Sequence, residues 1–213
     1  VNKTKIEWCD YTWNPVKGYC PNNCSYCYAH RMYDRFGWDK TIRLDEKELM
    51  APARVKKPSR IFVGSMIDLY HPEISQSYVE ELIYHTSELQ QHTFITLTKF
   101  PERMAQHPFI DNWWLGTTIE HNGFSDRMTE LCLLTSVEKK IFVSFEPLLT
   151  DMRDFYFEMA DWIIIGGLTP KPVHENRWID DIVRRADAMG IPVFIKNNAH
   201  YPEVRRDFPN KND

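Results

Sequence analysis

Three cysteines, Cys20, Cys24 and Cys27, have the type and spacing for metal chemistry. They stand in the run Gly18-Tyr19-Cys20-Pro21-Asn22-Asn23-Cys24-Ser25-Tyr26-Cys27-Tyr28-Ala29-His30-Arg31, spaced C-x3-C-x2-C. Pro21 and Asn22-Asn23 are turn formers, so the first interval reads as a loop that can wrap a metal centre. From about Cys24 the residues can become helical, which would put Cys24 and Cys27 on one face at i, i+3. Three chemistries compete for this cluster. A structural zinc site would take His30 as fourth ligand, giving Cys3His. A set of buried free thiols would be an oxidation liability. An iron–sulfur cubane normally takes four thiolates, so three would leave one iron open to a substrate or cosubstrate. The other two cysteines lie apart. Cys132 falls on the apolar stripe of a helix and reads as core, whereas Cys9 packs near the first strand, with a ligand role left open.

A second set of polar residues recurs at the ends of apolar runs. It comprises Gly64-Ser65-Met66 with Asp68, Thr98-Lys99, Thr117-Thr118-Ile119-Glu120, Ser144-Phe145-Glu146-Pro147, Gly166-Gly167 and Lys196-Asn197-Asn198. Several strands ending in small, hydroxylic or charged residues point to a shared site. Lys99 and Lys196 could bind a phosphate or carboxylate or simply be solvated, Glu146 could cap or function, and His71 is a substrate-side candidate.

The elements that must position these groups are legible. Ile61–Val63, Phe94–Leu97, Trp114–Ile119, Ile141–Phe145, Trp162–Ile165 and Val193–Ile195 are short, continuous apolar runs, the pattern of strands covered on both faces. Gln76–Gln91, Ser125–Thr135 and Arg177–Met189 carry i, i+3, i+4, i+7 apolar positions, the last ending at Gly190 and Pro192. Leu149–Asp161 reads as a brief helix or turn. The βαβα rhythm argues an α/β chain with a parallel sheet and outer crossover helices, open or closed as a barrel, with chemistry at the strand C-terminal ends. We expect one domain over 1–201, with Pro52–Pro58 as its best linker candidate, and a polar tail over 202–213 that need not be ordered.

Composition narrows the classes further. The 213 residues are 43% apolar and 26% charged, which excludes a disordered chain. No apolar run is long enough to span a bilayer, so no membrane role is expected. Val1–Asp10 is charged, without a signal-peptide core; with five cysteines, an odd number, the expectation is a cytoplasmic protein with reduced thiols. The net charge of −4 argues against general polyanion binding.

With Tyr26 before the last cysteine, the spacing C-x3-C-x-aromatic-C resembles that of the radical S-adenosylmethionine (SAM) enzymes. More closely, the chain resembles an uncharacterised radical SAM family found largely in phages and prophages. The matching stretches are Ile6–Pro15, the cysteine loop, Val63–Leu69, Leu97–Met104, Ser144–Leu149 and Trp162–Gly167, so the likeness spans nearly the whole chain. Leu168 departs from it, since that family commonly follows the two glycines with Glu.

The resemblance implies a partial (β/α)6 TIM-type barrel, with Thr12–Val16 as first strand, the motif in the loop after it, and a seventh strand within the count. It implies a [4Fe–4S] cluster on Cys20, Cys24 and Cys27, with SAM chelating the fourth iron. One electron, from a donor such as flavodoxin or ferredoxin, would release a 5′-deoxyadenosyl radical for hydrogen abstraction. Gly64, Ser65 and Met66 would receive the SAM ammonium, with Asp68 as anionic partner. Thr118 and Glu120 would meet the ribose, Ser144, Glu146 and Gly166-Gly167 would lie against SAM or substrate, and Tyr26 would lie near the adenine. The substrate is not written in the motif. Arg54-Val55-Lys56-Lys57-Pro58-Ser59-Arg60 and the cations Arg31, Arg35, Lys40 and Arg43, among frequent aromatics, admit a nucleotide or nucleic acid, or a solvated basic surface. The rival class is a non-catalytic zinc or iron–sulfur binding module acting in a phage–host interaction.

Overall fold

The apolar runs become strands of one sheet because each buries both faces. The computed structural model describes residues 1–107, 110–134 and 140–209. Its eight-stranded sheet has the order β1 (Asn2–Lys3), β2 (Tyr11–Trp13), β5 (Arg60–Val63), β6 (Thr93–Thr98), β7 (Trp113–Thr118), β8 (Ile141–Phe145), β9 (Trp162–Ile165) and β10 (Val193–Ile195). β1 runs antiparallel to β2, while β2–β5, β5–β6, β7–β8, β8–β9 and β9–β10 are parallel. A mixed α/β architecture with a mostly parallel sheet is therefore what the chain adopts. β3 (Val16–Lys17) and β4 (Arg43–Leu44) form a separate two-stranded ribbon. The chain divides into two compact units, Val1–Trp114 and Leu115–Asp213.

In the first unit, α3 (Gln76–Thr86) buries Val79, Leu82, Ile83 and Thr86, the face its periodicity predicts. Each such aliphatic side chain removed from water contributes roughly 1.5–3 kcal/mol. The helix stops at Thr86, short of the expected Gln91, because Asn112 takes the terminal carbonyls: its Nδ2 donates to Thr86 O at 3.2 Å and Leu89 O at 3.1 Å. Trp13, Phe94 and Trp113 stack through the sheet core, with centroid separations of 5.9 and 5.7 Å.

Three expectations need correction here. Thr12–Val16 is not one strand. Asn14-Pro15 interrupts it, proline having no N–H for the ladder, so Tyr11–Trp13 joins the main sheet and Val16–Lys17 leaves it for β4. The helix after the cysteines, α1 (Tyr28–Phe36), begins with Cys27 as its extended N-cap, so Cys24 lies in the preceding turn and not on a shared helical face. The Pro52–Pro58 stretch holds a 3-10 turn, Pro52–Arg54, with Pro52 buried, rather than a plain linker. Short helices α2 (Glu46–Leu49) and α4 (Pro101–Met104) complete the unit.

The second unit packs α5 (Ser125–Cys132) and α6 (Asn176–Met189) with the later strands. α6 buries Ile179, Ile182, Val183 and Ala186 and ends where Gly190 turns left-handed at φ 71°. The predicted end of α5 at Thr135 lies outside the described residues. Leu149–Asp161 is turns, pinned by Arg185, which donates to the carbonyls of Met152 (2.9 Å) and Phe155 (2.6 Å) and pairs with Glu158 at 2.8 Å. The tail is a further correction, as far as residue 209. The Arg205 carbonyl accepts from Ile195 N at 3.0 Å, the Asp207 carbonyl from Trp162 Nε1 at 2.9 Å, and Phe208 packs on the rings of Trp162 and Phe194. Residues 210–213 of that tail lie outside the described residues. Among the described residues no helix is long and apolar enough to cross a membrane.

Candidate functional site

The cysteine loop is held by Asp68, which follows β5. This buried carboxylate accepts four hydrogen bonds. Oδ1 takes the Thr98 hydroxyl at 2.6 Å and Tyr70 N–H at 3.1 Å. Oδ2 takes the Asn22 side-chain amide at 2.8 Å and Lys99 N–H at 2.9 Å. Asn22 lies between Cys20 and Cys24, so the bond ties the loop to the ends of β5 and β6. The Asp68 N–H also donates to Cys20 Sγ at 3.4 Å. Asp68 is thus occupied as an anchor for the loop.

Cys20 is buried, Cys24 and Cys27 half-buried, and none forms a disulfide. Burial pushes the Cys20 thiol up to about 11; the charges of Asp68 and Cys27 add to this, against backbone N–H bonds from Asp68 and Asn22. The loop therefore holds Cys20 as a neutral thiol until a cation compensates its charge. The Cys24 thiol donates to Asn22 O at 3.9 Å, and Cys27 N–H to Cys24 O at 3.0 Å. Among the described residues no three His, Cys, Asp or Glu side chains already form a metal-holding group. The donor chemistry nevertheless suits a thiophilic centre: three thiols on one loop, the buried one receiving a backbone N–H, the kind of bond that stabilises cluster-bound sulfur. Binding would draw the sulfurs together.

His30 does not offer its Nε2 to this group. That nitrogen donates to the Cys20 carbonyl at 2.8 Å, and the buried ring stacks on Tyr19 at 4.0 Å. It braces the loop from α1. Tyr26 receives Lys99 Nζ on its hydroxyl at 3.1 Å. Gly64, at φ 79°, turns the chain after β5, and a Cβ there would lie 2.8 Å from Leu69 Cγ. Ser65 and Met66 then meet Asn14: its Nδ2 donates to Ser65 Oγ at 3.0 Å, and its Oδ1 accepts from Met66 N at 3.2 Å. The Ser65 carbonyl accepts from the Tyr28 hydroxyl. The first unit thus brings Cys20, Cys24, Cys27, Tyr26, Gly64, Ser65, Met66 and Asp68 into one hydrogen-bonded neighbourhood. Asn14, Asn22 and Tyr28 belong to it and were not among the expected site residues.

The second unit gathers the other expected residues in two adjoining groups. Glu120, buried, pairs with Arg127 at 2.7 Å, and the same guanidinium donates to Thr118 O at 2.9 Å. Arg127, on α5, is a further residue the sequence reading did not single out; its place seven residues after Glu120 was the available signal. Glu146 pairs with Lys196, and both are largely sheltered. The pair lies against Gly166, where a Cβ would come within 2.9 Å of Glu146 Cδ. Gly167 exchanges hydrogen bonds with the Asn198 side chain. Leu148 N–H donates to Gly166 O at 2.9 Å and Leu149 N–H to Glu120 O at 3.0 Å, so the loop after β8 joins the groups. Ser144 Oγ is buried with no hydrogen-bond partner among the described residues, an open polar atom at the end of β8. His71 packs edge-on against Phe100 at 4.9 Å. Cys9 is buried, and burial raises the pKa of half-buried Cys132 on α5.

No curated protein and no solved structure matches the chain. Residues 3–212 match a family described as "Protein of unknown function (DUF5131)". With nearly its whole length covered by that match, the chain belongs to the DUF5131 family.

Proposed function

We propose that this DUF5131 chain is a radical SAM enzyme, with a [4Fe–4S] cluster on Cys20, Cys24 and Cys27 and SAM at the iron left without a thiolate. The observation that carries this reading is the C-x3-C-x2-C loop itself, with its buried Cys20 sulfur under the Asp68 N–H. The proposed architecture is a partial (β/α)6 barrel. When bound, the cluster supplies one electron for cleavage of the SAM sulfonium to methionine and a 5′-deoxyadenosyl radical.

The chain's own groups prepare that chemistry. Asp68 and Asn22 fix the loop, and His30 braces it at the Cys20 carbonyl. Cys20 gives up its proton on loading, so cluster assembly releases acid and is favoured by rising pH. The turn at Gly64 presents Ser65 and Met66 beside Asn14, where the Ser65 hydroxyl and carbonyl suit a cationic ammonium. Tyr26, with Lys99 on its hydroxyl, offers a ring for the adenine. The resemblance alone assigns Thr118 and Glu120 to the ribose, and Ser144, Glu146 and Gly166 to SAM or substrate. A flavodoxin or ferredoxin is the proposed electron donor.

The test is an anaerobic assay. Protein with its iron and sulfide rebuilt is given dithionite and SAM, and 5′-deoxyadenosine is measured beside Cys24→Ala. Product from the wild type and none from the variant supports the reading. A wild-type protein that neither binds nor cleaves SAM and holds tight zinc instead would establish the non-catalytic module.

A further inference from the structure

Beyond the cysteine loop, α1 leads into an exposed pair of aromatic rings. Phe36 closes the helix at 54% exposure and Trp38 follows at 43%. Their rings stack at 5.3 Å with 23° between planes. Gly37 makes this geometry by adopting φ 61°, which reverses the chain and lets Trp38 N–H donate to Tyr33 O at 3.1 Å. Trp38 also stands edge-on against Tyr33, at 5.4 Å and 86°. Tyr33 is buried, and its hydroxyl accepts from Gly18 N–H at 2.9 Å. The exposed pair is therefore held by a buried ring that also fixes the start of the cysteine loop.

Cations surround the rings, and their pairing separates them. Lys40 pairs with Asp34 at 2.6 Å and Arg43 with Asp39 at 2.8 Å. Among the described residues Arg31 and Arg35 form no ion pair. They are exposed and stand at i, i+4, so they share one face of α1. The Arg35 guanidinium lies 5.4 Å from the Phe36 ring centroid. Two uncompensated guanidiniums beside an exposed, pre-stacked aromatic pair offer both contacts that an unpaired nucleotide strand needs, one for phosphate and one for a base face. A duplex hides its base faces and meets only the charges.

We propose that the α1 face made by Arg31, Arg35, Phe36 and Trp38 binds single-stranded nucleic acid. This surface lies wholly in the first unit and does not depend on the cofactor reading.

Fluorescence anisotropy with a labelled oligothymidylate tests it, using the full chain at low salt, with a duplex of equal length as comparator. The wild type should bind the single strand more tightly than the duplex. Trp38→Ala should weaken single-strand binding by about 5- to 150-fold, the effect of losing one stacked base, and Trp38→Phe should recover most of it. Arg31→Gln with Arg35→Gln keeps the rings and should lower the slope of log affinity against log salt by about 1.4, for two phosphates released. No single-strand binding by the wild type, equal binding of the duplex, or a slope unchanged in the arginine variant overturns the proposal. The arginine variant decides the matter even where Trp38→Ala fails to fold, because its exposed side chains support no packing.

Discussion

Asp68→Asn is the perturbation that most sharply separates an anchored loop from a loose one. The substitution keeps the shape but turns one carboxylate oxygen into an amide donor. In one orientation that donor faces the Asn22 amide and Lys99 N–H, now at 2.8 and 2.9 Å from Oδ2. In the flipped orientation it faces Tyr70 N–H at 3.1 Å and a Thr98 hydroxyl already accepting from Phe100 N–H at 2.9 Å. Either way a buried backbone N–H meets a donor, and charge-assisted bonds of about 1.5–3 kcal/mol each are lost. Neighbouring losses do not add fully, so the net cost is about 3 kcal/mol. For a chain of this length, each kcal/mol moves the melting point by about 2–4 °C, which predicts a fall of about 6–12 °C by circular dichroism. Iron retained after rebuilding should fall as well, because the Asn22 tether is the loop's tie to the sheet. A variant that melts with the wild type and keeps its full iron content would refute Asp68 as the anchor.

Other expectations follow from the same geometry. Gly64→Ala forces a left-handed φ and a 2.8 Å approach to Leu69, so it should cost about 1–3 kcal/mol and weaken SAM binding in equilibrium dialysis. His174 is half-buried with Nε2 donating to Ala199 O at 3.0 Å and Nδ1 buried without a partner, and burial lowers its pKa below 6.5. Its unfolded form takes up a proton at a pH where the folded form does not. Stability from this group is therefore present above about pH 6.5 and is lost as pH falls below it, by up to about 1.4 kcal/mol per pH unit. Urea titrations of His174→Gln should show a shallower acid slope. Phe208→Ala should cost about 1–2 kcal/mol, because the ring packs on Trp162 and Phe194; a free tail would cost nothing.

The strands were legible because Ile61–Val63, Ile141–Phe145 and Trp162–Ile165 are continuous apolar runs, and a strand covered on both faces needs nothing else. β1 escaped notice because Asn2–Lys3 is two exposed polar residues whose pairing is backbone alone. The first strand was drawn too long because apolar content continues through Val16, while Pro15 ends the ladder. The tail looked polar because its ties to the sheet come largely from main-chain atoms, the carbonyls of Arg205 and Asp207, with Phe208 the one large apolar contact. The three cysteines carried their chemistry openly in their spacing. Their supports did not: Asn22 reaches Asp68 across 46 positions and Asn14 reaches Ser65 across 51, and such partners leave no local pattern. The motif was readable, whereas the network that holds it belongs to the folded chain.

The central claim is a cluster on three thiolates with one iron open to SAM. Iron and sulfide are best counted on protein rebuilt without oxygen, and the paramagnetic resonance of the reduced protein recorded before and after SAM is added. The account predicts about four irons and four sulfides per chain and a spectrum that changes when SAM is added. One tightly held zinc per chain, or a cluster whose spectrum ignores SAM, would contradict it.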